Sequence, residues 1–114
     1  MNYKLAKRLK NAGFPQIVNS DRFESHYFKG KLSPKTIDFR GLEILGKDTV
    51  LIPTLSELIE ECIIKDRRFE LQQSWVKGWY AQSIDNSGYI IQGNGEDPEE
   101  AVAELWLTLN AMNI

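Results

Sequence analysis

The sequence predicts an α+β fold, an antiparallel sheet of three to five strands packed by two capped helices, with a short N-terminal helix added. Three observations lead there. Thr54 to Glu57 reads as a T-x-x-E capping box, and Asp97 to Glu100 as a second helix start with proline in its first position. Between them, Arg68 to Gln92 is dotted with aromatic and β-branched residues and broken by a tight-turn signal. A chain of 114 residues with 42% apolar residues is expected to form one domain, 1–114, with a core that needs no staples.

Asn2 to Ala12 has the spacing of a short amphipathic helix, with Leu5, Leu9 and Ala12 on one side and Lys4, Lys7 and Arg8 on the other. Gly13 can take the left-handed conformation that ends a helix, and Pro15 cannot continue one. Lys7, Arg8 and Lys10 complement the negative end of the helix dipole. From Ile17 to Leu51 the pattern is irregular, and short β-prone runs at Lys35 to Phe39 and Thr49 to Ile52 predict loops with one or two short strands.

After the Thr54 cap, Leu55, Leu58, Ile59, Cys62 and Ile63 form a buried stripe that leaves Glu57, Glu60 and Glu61 outward. Arg68 to Gln73, Trp75 to Ile84 and Tyr89 to Gln92 read as an antiparallel meander, with Asn86, Ser87 and Gly88 in a tight turn. Gly93, Asn94 and Gly95 then lead into the last helix. There Asp97 is the cap, Pro98 the first helical residue and Glu100 the partner in a D-x-x-E box. Val102, Leu105, Trp106, Leu109 and Met112 supply the stripe that meets the sheet.

Several function classes are disfavoured. No apolar run approaches the roughly 20 residues that span a bilayer, so no membrane partner is expected. The first ten residues lack the apolar core and cleavage site of a secretory signal, which points to the cytoplasm. Cys62 is the only cysteine, excluding an intramolecular disulfide and a thiolate metal cluster. On a buried stripe it suits an inert apolar role better than a nucleophilic one. His26 is the only histidine. A small hydrolase built on it is the least supported reading, because no serine or cysteine is evidently arranged with it. The glycines before Asp97 match neither G-x-G-x-x-G nor G-x-x-x-x-G-K-[ST], and the acids that follow would repel phosphate. Capping accounts for those acids without a metal. No cofactor is expected.

The net charge of -2 conceals an asymmetry. Residues 1–50 carry ten Lys and Arg against five Asp and Glu, whereas residues 51–114 carry four against eleven. The basic half could meet nucleic acid, with Lys4, Lys7 and Arg8 joined by Tyr27, Phe28, Lys29 and Lys31, a mixture that can stack bases and neutralise phosphates. The plain alternative is aromatics in the core and lysines in water. In the acidic half, Glu57, Glu60 and Glu61 with Glu96, Glu99 and Glu100 could face a basic protein.

Two resemblances add context. Tyr80, Ala81, Asp85, Gly88, Tyr89, Gln92 and Gly93, followed by Asp97, Pro98, Glu99, Glu100 and Ala101, resemble the strand, hairpin and helix segment of HicB-type antitoxins. That resemblance implies a partial ribonuclease H-like fold that binds and blocks a basic toxin ribonuclease. Leu5 to Gln16, Ile52 to Glu60 and Asp97 to Asn110 look like a family of small uncharacterised phage and prophage proteins, which implies origin rather than mechanism. The resulting expectation is a non-enzymatic protein-binding protein. Nucleic-acid binding and a HicB-like role are the alternatives, and a homodimer is compatible with each.

Overall fold

The computed structural model describes residues 1–15, 26–28, 31–33, 49–63 and 68–112. The chain divides into two units, Met1–Pro53 and Thr54–Ile114. Each contains a three-stranded antiparallel sheet, so the fold is α+β.

In the first unit, helix α1 spans Tyr3–Asn11. Asn2 caps it, its Oδ1 accepting the Leu5 N–H at 2.8 Å. The end is a Schellman motif: Gly13, at φ 95°, donates its N–H to Lys10 O, and Phe14 donates to Leu9 O. Phe14 and Leu9 are both buried, the apolar pair that accompanies this motif. Leu5, Ala6 and Leu9 form the buried face, while Ala12 is only half-buried.

Strands β1 (His26–Phe28), β2 (Lys31–Ser33) and β3 (Thr49–Leu51) follow in the order β2-β1-β3. β3 matches the expected run, and Lys35 to Phe39 lies outside the described residues. Three-residue strands are too short to show a period of two, which is why β1 and β2 left no pattern. Helix α1 packs on β3 through Ala6 and Val50, with Met1, Tyr3 and Ile52 around them.

The second unit opens with helix α2 (Leu55–Cys62). Its capping box is complete: Thr54 Oγ1 accepts the Glu57 N–H at 3.2 Å, and Glu57 Oε1 accepts the Thr54 N–H at 3.0 Å. Leu58 and Cys62 are buried, whereas Leu55 and Ile59 are half-buried. Ile63, expected in the stripe, is instead exposed, because the helix ends at Cys62 and Ile63 is extended.

Strands β4 (Arg68–Gln73), β5 (Trp79–Ile84) and β6 (Ile90–Gly95) form the second sheet in sequence order. Asp85 builds the turn between β5 and β6, its Oδ1 accepting the N–H groups of Ser87 and Tyr89 and the hydroxyl of Ser87. Gly88, at φ 86°, donates its N–H to Asp85 O, as in a three-residue hairpin loop with glycine at the left-handed position.

Two boundaries differ from expectation. Trp75 is not in a strand: Ser74 to Gly78 form the β4–β5 turn, closed by the Ser74 N–H to Gly78 O at 2.9 Å. Gly93, Asn94 and Gly95 are the last residues of β6 rather than a loop. Ladder pairing places Leu71, Ala81 and Gly93 in one row and Phe69, Ser83 and Ile91 in the next, both on the face that meets the last helix.

That helix, α3 (Pro98–Ala111), is capped by Asp97, whose Oδ1 accepts the Glu100 N–H at 2.7 Å. The reciprocal bond of the expected D-x-x-E box is not made; the Glu100 side chain lies over Gly95 instead. Val102, Leu105, Trp106 and Leu109 are buried as expected, and so are Ala101 and Ala103. Burial runs around most of the helix because the sheet and α2 both pack on it. Met112 falls past the helix end and is exposed.

A Cβ on Gly93 would overlap Leu105 N and Ala101 O, and one on Gly95 would overlap Ala101 N. Gly93→Ala is therefore expected to destabilise the protein by about 3 kcal/mol in urea unfolding, since neither backbone can retreat. Gly88→Ala has open space and pays only the left-handed conformation, about 1 kcal/mol. Equal costs at the two sites would mean that α3 is not seated on β6 as described.

Candidate functional site

The acidic residues separate by what holds them. The Glu57 carboxylate is turned back onto the Thr54 N–H and half-buried, so it belongs to the helix cap rather than to an open acidic face. Glu60 and Glu61 are exposed on the last turn of α2. Glu96 is exposed just before α3, and Glu99 and Glu100 are half-buried in its first turn. Among the described residues, no ion pair engages Glu60, Glu61, Glu96, Glu99 or Glu100, whereas Glu70 lies 3.8 Å from Arg68.

The two acidic groups sit on packed helices. Cys62 Sγ donates to the Val102 carbonyl at 3.5 Å, laying the last turn of α2 against the first half of α3. The thiol is buried, and burial, reinforced by the Glu61 charge, pushes it up to about 12 from 9.0. A thiol held protonated is a poor nucleophile.

The glycine-rich approach to α3 makes no anion cradle. Gly93 and Gly95 are strand residues, and the space a ligand would need on their inner side is filled by the backbone of α3. Among the described residues, no group of three or more His, Cys, Asp or Glu is placed to hold a metal ion, and no helix is long and apolar enough to cross a membrane.

The basic set is placed in the first unit. Lys4, Lys7 and Arg8 are exposed on α1, and Lys7 Nζ sits 5.7 Å from the Tyr3 ring centroid. Tyr27 and Phe28 are in β1, with Phe28 registered opposite Lys31 of β2; Lys29 lies outside the described residues. His26 is also in β1, opposite Ser33 and Leu51.

The residues that sequence reasoning missed are Trp75 and Val76. They occupy the tip of the β4–β5 turn with relative exposures of 101% and 95%. The available signal was Gly78 following Ser-Trp-Val-Lys, a turn closure hidden by the β-propensity of the two apolar residues. Compared with family models, curated proteins and solved structures, the chain shows no significant match, and no enzyme family is identified.

The thiol gives a measurable consequence. Its pKa is higher in the folded than in the unfolded chain, so between about 9 and about 12 the unfolded chain binds fewer protons and stability falls as pH rises. The expected slope approaches 1.4 kcal/mol per pH unit. Cys62→Ala should flatten that part of a urea-unfolding series across pH, and an unchanged slope would show that Cys62 is not its source.

Proposed function

We propose that this chain is a non-enzymatic binding protein that acts on another protein through the acidic surface of its second unit. The observation that carries this reading is the set of carboxylates at Glu60, Glu61, Glu96, Glu99 and Glu100, which engage no cation among the described residues. Each exposed pair across an interface contributes only about 0.2–1 kcal/mol, but a one-signed surface accelerates encounter with a basic partner and rejects acidic ones. The buried, protonated Cys62 and the filled glycine face support a binder over a catalyst.

The HicB resemblance falls on β5, β6 and the start of α3, and it supports an antitoxin-like version in which this surface blocks a basic protein. A phage or prophage origin rests on the three sequence blocks named above and fits a small accessory protein working in the cytoplasm. A second reading, nucleic-acid binding, is favoured by the row of exposed cations Lys4, Lys7 and Arg8 on α1. Its mark would be binding that weakens steeply with salt through counterion release.

The test is affinity capture from native host lysate with and without nuclease, using the wild-type chain and a Glu60→Gln/Glu61→Gln/Glu96→Gln variant. The expected result is a stoichiometric, nuclease-resistant protein, held roughly 10-fold more weakly by the variant at low salt. That gap should narrow at about 0.5 M salt, where exposed charges are screened. Recovery of nuclease-sensitive nucleic acid alone would replace this reading with the second one.

A further inference from the structure

We propose that the β4–β5 hairpin tip is the anchor of the interface: Trp75 and Val76 enter an apolar pocket, rimmed by basic side chains, on the partner protein. This rests on the protein-binding reading and names the chemistry of the partner.

The tip is built to project. At 101% and 95% exposure, Trp75 and Val76 take no support from their own domain. Two fully exposed apolar side chains at one turn contribute nothing to folding, and a large aromatic is the commonest kind of residue to dominate a protein interface.

The turn that carries them is fixed. Ser74 N–H donates to Gly78 O at 2.9 Å, and Val76 N–H donates to Ser74 Oγ at 3.4 Å. Gly78 has φ 82°, and a Cβ there would stand 2.5 Å from Gly95 O. Only glycine satisfies both demands, so the turn sits flush on the end of β6. A tip presented in this way loses little conformational freedom on binding.

Its neighbourhood selects the occupant. Trp79 pairs with Gly95, and the Gly78 Cβ position lies 3.5 Å from Glu96 Cα. The hairpin tip and the acidic start of α3 therefore share one end of the sheet. A tryptophan beside Lys77 could also sit at a lipid interface or stack on a base. Anionic headgroups and phosphates would both be repelled by Glu96, Glu99 and Glu100. A protein pocket with cations at its rim meets both halves of the surface: the apolar wedge inside and the carboxylates around it.

The test uses the full chain and a Trp75→Ser/Val76→Ser variant, whose thermal unfolding should match wild type because the lost side chains touch nothing in the fold. The protein captured by wild type is purified and titrated against both. The variant is expected to bind roughly 100-fold more weakly, and in wild type the Trp75 emission should shift to the blue and become shielded from acrylamide. Glu96→Lys should weaken binding about 10-fold at low salt only. Equal affinity of the double variant would overturn the anchor and leave the binding reading standing. Capture of no protein by wild type would remove both. A blue shift with vesicles of phosphatidylcholine and phosphatidylglycerol, absent in the double variant, would overturn the proposal in favour of a membrane wedge.

Discussion

Helix α3 lies so close to β6 that its backbone occupies the space where side chains at Gly93 and Gly95 would stand. This approach seats Ala101 and Leu105 over Gly93, and both are buried together with Ala81 and Ile91 of the sheet. With one side of α3 seated on glycine and alanine, its remaining apolar positions are free to meet α2. Val102 then offers its carbonyl to the Cys62 thiol. The order of the second unit, sheet then α3 then α2, follows from that one contact. Apolar burial contributes the larger energy, about 2 kcal/mol for a side chain such as Leu109. The glycines decide where that burial occurs.

The same arrangement separates the chemistry of the surface from that of the core. Among the described residues, the buried side chains are apolar apart from Ser83, and the one thiol is held protonated. Among the groups the second unit turns to water are carboxylates at the helix ends and a projecting apolar turn. The outer face of the sheet is occupied with itself, Tyr80 donating to Gln72 at 2.7 Å and Gln82 to Glu70 at 2.5 Å. Polar groups already bonded to each other are less available to a ligand than unpaired ones, so the sheet end offers more for recognition than the sheet face.

Features set by local chemistry were legible in the sequence. The Thr54 box, the Asp97 cap, the Gly13 terminator and the Gly88 turn each depend on a few adjacent residues, and each stands where its chemistry places it. The β4 boundaries could be read because charged and turn residues flank the strand. What required the tertiary structure was hidden for identifiable reasons. Gly93 and Gly95 resemble a loop until a helix backbone is found against them. Trp75 resembles a strand residue until Gly78 is seen to close the turn. Ile63 and Met112 continue an apolar spacing into the C-cap position of each helix, where both are exposed. The acidic positions were readable as residues. That Glu57 belongs to a cap while Glu96 lies beside Gly78 of the turn that carries Trp75 was not.

A strand that ends in Gly93, Asn94 and Gly95 carries little information about its own alignment, because glycines give a neighbouring strand no side chains to grip. Beyond Ile91, β6 could slide along β5 at small cost if the ladder were all that held it. The alignment is imposed from above, by a helix whose backbone fits only over the glycine gaps. Strand and helix are therefore expected to acquire their order in a single kinetic step, although β4, β5 and their turn can pair earlier. Matching hydrogen-exchange rates at Gly93 and Leu105, with faster closure of the β4–β5 hairpin, would be the signature of that coupling.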